Sequence, residues 1–185
     1  MPVLDQAQRT RLHNETGAYI YGLQRWRSFA HFTFDFPVSR EDARQKFKDW
    51  IRRLARDVVE THLTVAWSIE RGLLGGLVHI HALLHVHANK TVPLTEVLER
   101  NWPHGIAAVQ DYDNRRRGAW YVVGDIEWSG DADWSIDVAC DRGNKCRRST
   151  CLEERALRIS AYYAATQVRS QNGLPAAGLV PGTAV

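Results

Sequence analysis

The sequence is poor in the features that mark secreted, membrane-spanning or repetitive proteins. Its 185 residues include only three cysteines and one methionine, and no internal repeat is visible. No stretch approaches the roughly 20 apolar residues that a membrane helix needs. Charged side chains interrupt the first 28 positions, where a secretory signal would lie. These absences predict a soluble, cytoplasmic protein without a membrane partner.

The three cysteines exclude a disulfide framework, because they are few and odd in number. Cys140, Cys146 and Cys151 also lack the spacing of a zinc finger, and Lys145 and Arg147 lie among them. We expect three free thiols in a basic loop, which agrees with a reducing compartment.

Length and composition fit one compact domain. The chain is 44% hydrophobic and 24% charged and contains seven tryptophans, which is enough apolar volume for one core. A second catalytic module, such as a helicase, has no room. We expect a polar lead-in with one short helix over residues 1–28, a single domain over residues 29–170, and a mobile tail over residues 171–185.

The net charge is only +3, but the basic residues are clustered. The clusters are Arg25 and Arg27, residues 40–56, Arg115 to Arg117, and residues 142–148. Such clusters can assemble into one positive surface, the electrostatic footprint of a nucleic-acid-binding protein. For residues 40–56 a solvated helix face is the better interpretation, whereas Arg115, Arg116 and Arg117 are candidate DNA contacts.

A run of alternating histidines carries the clearest chemical signal. His79, His81, His85 and His87 alternate with apolar residues over residues 78–87. This period of two predicts a β-strand with its imidazoles on one face and a buried apolar face opposite. Histidines at positions i and i+2 of a strand can form half of a metal site, and a half-exposed strand without an ion is the alternative.

The preceding segment brings a carboxylate to the same place. Residues 62–70 alternate in the same way, and the glycines within residues 72–76 supply a turn, so the two strands are predicted to form an antiparallel pair. Residues near the turn of such a pair lie side by side, and Glu70 can therefore approach His79 and His81. All three lie on the more polar face of their strands. We predict Glu70 as the third ligand, with a surface ion pair as the alternative.

Strand and helix patterns alternate along the rest of the chain. Residues 29–36 predict a strand with His31, Thr33 and Asp35 on its wet face, and residues 40–60 predict a capped amphipathic helix. The further elements are a short helix over residues 93–102, a strand over 106–110, a helix over 115–123, strand-like segments over 124–138 and a helix over 152–167. This order predicts an α+β fold, an antiparallel sheet with helices packed on one face and an open active-site face.

Together these motifs resemble the HUH endonucleases, and specifically the rolling-circle replication initiators of plasmids and small single-stranded DNA viruses. The matching segments are Phe32-Thr33-Phe34-Asp35, Glu70 with His79-Ile80-His81, Trp102-Pro103-His104-Gly105, and Tyr112-Asp113 followed by Ala119-Trp120-Tyr121-Val122-Val123. The similarity covers residues 29–138, and its most specific part is the glutamate combined with the His-x-His motif.

The resemblance implies a ferredoxin-like antiparallel sheet, Mg²⁺ or Mn²⁺ bound by His79, His81 and a third polar ligand, and cleavage of one DNA strand. It implies Tyr121 as the nucleophile, which leaves a 5′-phosphotyrosine and a free 3′-hydroxyl. The implied partners are single-stranded or origin hairpin DNA and a host helicase, and the location is nuclear if the replicon is a eukaryotic virus. Thr33 and Asp35 are candidate DNA contacts.

The chain departs from the family pattern after the tyrosine. Relatives commonly have a lysine three residues after it, and some have a second tyrosine four residues after it, but here these positions are Gly124 and Asp125. Single-tyrosine chemistry is therefore expected, and Tyr112, before Asp113, is better interpreted as a turn residue. Two other functions stay open: a catalytically silent protein that binds an origin hairpin, and a metal-dependent hydrolase that uses activated water.

Overall fold

The structure is a computed structural model that describes residues 5–58, 62–71, 77–86, 93–124 and 134–139. All of these residues belong to the unit Met1–Cys146. The helices are α1 (Gln6–Leu23), α2 (Arg40–Arg53), α3 (Leu94–Asn101) and α4 (Gly118–Val122), and the strands are β1 (Ser28–Thr33), β2 (Leu63–Arg71), β3 (Val78–Val86), β4 (Ala107–Asp111) and β5 (Trp134–Ala139). No helix within these ranges is long and apolar enough to cross a membrane.

The five described strands form one antiparallel sheet in the order β4-β1-β3-β2-β5. β3, the strand with the alternating histidines, lies at the centre and pairs with both β1 and β2. The antiparallel pairing predicted for β2 and β3 is confirmed, with Glu70 opposite His79. The predicted α+β fold with an antiparallel sheet of the HUH or ferredoxin-like class is confirmed as well.

One face of the sheet carries an aromatic core beneath α2 and α3. Phe32, Phe47, Trp50 and Trp102 pack against one another with ring centroids between 4.9 and 6.1 Å apart. Trp102 also satisfies its indole N–H by donating to the carbonyl oxygen of Thr33 at 2.9 Å. Interlocked rings of this kind bury large apolar area in defined geometries, so this face is the rigid support of the sheet.

Part of the opposite face is covered by α1 and α4. Ile20 of α1 and Val122 of α4 belong to one buried cluster with Ala66 of β2 and Leu83 of β3. In the middle of β2 and β3 the burial therefore no longer alternates, because both faces are covered there. Near the C-terminal end of β2, Glu70 on this face is only half-buried.

Three helices differ from the pattern-based prediction. The N-terminal helix is 18 residues long rather than short, and a capping box at Asp5 begins it. The helix expected over residues 40–60 changes after α2 into a π turn over Leu54–Val58. The helix expected over residues 115–123 is divided at Arg117, whose φ of 52° is left-handed and cannot continue a right-handed helix, so a 3₁₀ turn over Asn114–Arg116 precedes α4.

Some predictions fall on residues that the structure does not describe. The three cysteines and the helix expected over residues 152–167 lie outside the described ranges, and the domain limits at residues 28 and 170 stay predictions. The strand-like pattern over residues 124–138 corresponds in its last part to β5, which pairs with β2.

Gly105 marks a close approach between β1 and the connector that follows α3. Its φ is +157°, and a Cβ at this position would collide with the carbonyl oxygen of Thr33 and lie 3.0 Å from the backbone nitrogen of Asp35. That nitrogen also donates to the carbonyl oxygen of His104 at 2.9 Å. The connector is thus fitted to β1 by backbone contacts that only glycine allows.

We expect Gly105→Ala to lower the free energy of unfolding by about 2 kcal/mol or more, because the new methyl group meets fixed backbone atoms in a disfavoured conformation. Urea unfolding followed by tryptophan fluorescence measures the change. Gly22→Ala in α1 is the matched control, since nothing lies within 4 Å of a Cβ there. The control should leave stability unchanged or raise it by up to about 1 kcal/mol, and equal losses in both variants would contradict the prediction.

Candidate active site

Three neighbouring strands bring three histidines and a glutamate to one face of the sheet. The register places His31 of β1 opposite His81 of β3, and Glu70 of β2 opposite His79 of β3. Directly paired residues share a face, and so do residues two apart on one strand. All four side chains therefore lie on the same face.

The Glu70 carboxylate lies close to both predicted imidazole ligands. Its Oε2 is 3.5 Å from His79 Nε2 and 3.3 Å from His81 Nε2. The His31 ring stacks on the His81 ring with centroids 4.6 Å apart and meets the His79 ring edge-on at 5.0 Å. One ligand nitrogen from each of the three histidines lies within 4.8 Å of the other two. The structure therefore brings the three predicted residues together and adds His31.

These side chains fit a divalent cation. Two atoms bound to one ion at about 2.1 Å are separated by roughly 3.0–3.4 Å in octahedral or tetrahedral geometry, which is close to the separations of Glu70 Oε2 from His79 and His81. Nδ1 of His81 and Nε2 of His31 are buried without a hydrogen-bond partner, and Nε2 of His81 faces the Glu70 carboxylate. Buried polar atoms without partners are rare in folded proteins, and a cation held by this donor set would satisfy one nitrogen of each ring.

The protonation states of the cluster also suit a cation. Burial and the nearby His81 and His79 lower the pKa of His31 to about 4, so this imidazole is neutral at pH 7. Burial would raise the pKa of Glu70, but its interactions with His79 and His81 outweigh that effect and lower the pKa to about 2. A neutral imidazole and an ionised carboxylate are the forms that bind metal ions.

His31 is the member of the cluster that sequence reasoning missed. Its position on the polar face of its strand, with Thr33 and Asp35, was a usable signal, but the pattern did not say that this strand lies beside the histidine strand. His85, farther along β3, is engaged elsewhere, because its Nδ1 lies 2.6 Å from the carbonyl oxygen of Arg25. His87 lies outside the described residues.

Tyr121 lies beside the histidines. Its ring meets the His81 ring edge-on with centroids 4.7 Å apart and contacts the Phe29 ring at 5.7 Å. The residue is 55% exposed, so a large substrate can reach it. Tyr112 differs, because its hydroxyl is buried and burial raises its pKa. Of these two tyrosines, Tyr121 is therefore the one that offers an accessible side chain beside the histidines.

Thr33 and Asp35, the candidate DNA contacts at the end of β1, have different surroundings. Thr33 Oγ1 accepts a hydrogen bond from the Ile106 backbone nitrogen at 3.3 Å and donates to its carbonyl oxygen at 3.2 Å. Thr33 therefore helps to join β1 to the connector before β4. Asp35 is exposed at the surface.

The arginine triplet leads directly into the helix that carries Tyr121. Arg115 and Arg116 lie in the 3₁₀ turn, and the backbone N–H of Arg115 donates to Asp113 Oδ1 at 2.9 Å. The Arg117 guanidinium carbon lies 6.0 Å from the centroid of the Trp120 ring, at the outer limit of a cation–π contact. The triplet is thus close in sequence and in space to α4.

An open antiparallel sheet with clustered histidines and a carboxylate on one face, beside an accessible tyrosine on α4, is consistent with the HUH class of proteins. The family follows from sequence comparison, in which the model of replication-associated protein ORF2/G2P matches residues 28–127, more than half of the chain. The chain belongs to this family of rolling-circle replication initiators, as its motifs predict. No curated protein and no solved structure matches the chain significantly.

We expect the protein to bind one Mn²⁺ ion per chain, and His79→Ala or His81→Ala to weaken that binding at least about tenfold, because each removes a donor atom. Isothermal titration calorimetry with Mn²⁺ measures the affinity. His31→Ala should weaken binding if His31 is a ligand as well. His104→Ala is the control, since its ring stacks with Phe34 on the opposite face of the sheet; an equal loss there would argue against a site in the cluster.

We expect the metal-free protein to lose stability as the pH falls from about 6.5 to about 4. The pKa of His31 is lowered from 6.5 to about 4 in the folded protein, so within this range the unfolded chain binds more protons and is favoured. The contribution is complete above pH 6.5 and is lost through this window. Urea unfolding at a series of pH values measures it, and His31→Gln should flatten the curve. An unchanged slope in that variant would contradict the assignment.

Proposed function

We propose that the chain is a metal-dependent endonuclease that nicks and rejoins single-stranded DNA at a replication origin through a covalent 5′-phosphotyrosine. The main support for the proposal is that the exposed ring of Tyr121 lies beside the ring of His81, with 4.7 Å between the ring centroids. A nucleophile and a cation site within reach of one phosphate are the two parts that this chemistry needs.

Mg²⁺ or Mn²⁺, when bound, polarises the scissile phosphate and stabilises the charge that develops on its oxygens. His79, His81 and Glu70 are the proposed ligands, and His31 is a further candidate ligand from the neighbouring strand. The neutral state of His31 and the ionised state of Glu70 at pH 7 support these assignments.

In the nicking step the Tyr121 hydroxyl oxygen attacks the scissile phosphorus and loses its proton. The bond from phosphorus to the 3′ oxygen breaks, and that oxygen takes up a proton and leaves as a 3′-hydroxyl. One ester bond replaces another, so the energy of the broken bond is kept in the phosphotyrosine. A 3′-hydroxyl can therefore attack the phosphotyrosine and rejoin the strand without ATP.

The DNA strand must pass over the site, and the proposed contacts come from two segments of the chain that lead to it. Arg115, Arg116 and Arg117 precede the helix of Tyr121, where positive charge can pair with phosphates. Thr33 is the last residue of β1, the strand whose His31 lies in the cluster, and Asp35 follows that strand. The proposed partners are single-stranded or hairpin origin DNA, with a host helicase as a further partner.

Gly124 favours a second candidate function, a catalytically silent protein that binds an origin hairpin. A Cβ at Gly124 would lie 3.9 Å from Glu70 Oε1. The position where relatives commonly have a lysine is therefore beside the cluster, and in this chain no side chain extends from it. A protein without that cation could keep DNA binding and lack the nicking step.

We expect a covalent adduct when the protein is incubated with Mn²⁺ and single-stranded oligonucleotides that span the origin of its replicon. The labelled 3′ portion of the strand should migrate with the protein on a denaturing gel, because Tyr121 retains the 5′-phosphate. Tyr121→Phe should abolish the adduct, and Tyr112→Phe should preserve it because that hydroxyl is buried.

Other results would identify the alternatives. Binding of the oligonucleotide without cleavage, in the presence of Mn²⁺ or Mg²⁺, supports the silent origin-binding protein. Cleavage without an adduct, unaffected by Tyr121→Phe, supports a metal-dependent hydrolase that uses activated water. An adduct that survives in Tyr121→Phe refutes the assignment of the nucleophile.

A further inference from the structure

α4, the helix that contains Tyr121, is too short to be stable on its own. α4 has five residues, begins after Arg117 at a φ of 52°, and has no side-chain hydrogen bond at its N-terminus. Isolated helices shorter than about 12 residues are marginal in water. The position of Tyr121 must therefore be set by the elements against which α4 packs.

One of these elements is α1, and it contacts the residue next to Tyr121. The indole of Trp120 lies against the backbone of α1 at Gly17, where a Cβ would come within 2.5 Å of Cδ1, 2.6 Å of Cγ and 2.7 Å of Nε1. Cγ of Trp120 is bonded directly to Cβ, so the ring can move away from an added methyl group only by a change of rotamer or a shift of α4. Only glycine at position 17 permits this contact.

Other contacts between α1 and α4 lie around the contact of Gly17 with Trp120. Nε2 of His13 lies 2.9 Å from the carbonyl oxygen of Trp120, and the Tyr21 ring lies against the Trp120 indole with centroids 5.8 Å apart. Ile20, between them in sequence, is fully buried in one cluster with Val122 of α4. α1 therefore contacts both the backbone and the side chains of α4 over more than two of its own turns.

We propose that α1 is a brace that sets the position of Tyr121 against His81, with Gly17 and Trp120 as positioning residues. α1 ends at Leu23, before the first residue matched by the family model, so family membership assigns it no role. The inference rests on the proposed function for what Tyr121 does, but not for where its ring lies. A misplacement of about 1 Å in a catalytic group can cost a hundredfold in rate.

Gly17→Ala tests the brace. The rate of adduct formation at saturating oligonucleotide and Mn²⁺ should fall about a hundredfold, because the new methyl group displaces Trp120 and with it Tyr121. The Mn²⁺ affinity should stay within about twofold of the wild type, since the four cluster residues lie on β1, β2 and β3. Gly22→Ala on the same helix is the matched control and should keep the wild-type rate, because its Cβ meets nothing within 4 Å.

A double substitution distinguishes a direct contact from a general loss of stability. Trp120→Leu removes the ring that the methyl group would strike, so Gly17→Ala should have little further effect on the rate in that background. If the two effects simply multiply, the contact does not position Tyr121 and the proposal is overturned. If Gly17→Ala does not fold, His13→Ala takes its place, and it should lower the rate without changing Mn²⁺ affinity.

A measurement without DNA separates this proposal from the proposed function. The Tyr121 ring shifts the His81 imidazole protons in the NMR spectrum, and Tyr121→Leu identifies the affected resonance. In Gly17→Ala this resonance should move toward its position in Tyr121→Leu, whereas in Gly22→Ala it should not move. An unmoved resonance in Gly17→Ala overturns the brace even if the protein nicks DNA, and a moved resonance supports it even if no adduct ever forms.

Discussion

The antiparallel pairing of β2 with β3 is the constraint on which the rest of the site depends. It places Glu70 opposite His79, and the pairing of β3 with β1 places His31 opposite His81. Side chains on a strand alternate between faces, so a slip of one residue in either pair would send one partner to the aromatic core on the other side. The apolar residues that alternate with the histidines make that slip costly, since each slipped register would bury polar groups and expose apolar ones. The hydrophobic pattern that folds the sheet therefore also brings the candidate ligands together.

Sequence patterns predict the positions of residues correctly where backbone geometry alone sets them. They fail where contacts between distant parts of the chain set those positions. The period of two along β2 and β3 was enough to bring Glu70, His79 and His81 to one face, because the backbone fixes that period. Local patterns do not contain the strand order, and His31 was therefore left out of the site. The length of α1 was also missed, because its buried residues, Thr16, Gly17 and Ile20, form a contact surface rather than an apolar stripe. The break before α4 had no signal, since Arg117 is not a residue that favours a left-handed φ.

The two faces of the sheet are built differently. Beneath α2 and α3, interlocked aromatic rings and satisfied indole N–H groups make a dense layer that holds the strands in place. On the other face, α1 and α4 form a smaller cluster beside the histidines. Rigid support on one side and a thinner cover on the other let this sheet hold its polar residues in fixed positions while leaving Tyr121 accessible.

The buried imidazole nitrogens without partners have a thermodynamic consequence. Each uncompensated polar atom costs on the order of 1–3 kcal/mol relative to a satisfied one, and the structure places such atoms on both His31 and His81. Their strands, β1 and β3, are neighbours at the middle of the sheet, so these unpaired atoms destabilise the central strands. A cation that relieves this penalty would crosslink the strands internally, and the folding of the sheet and the binding of that cation would then be a single coupled equilibrium.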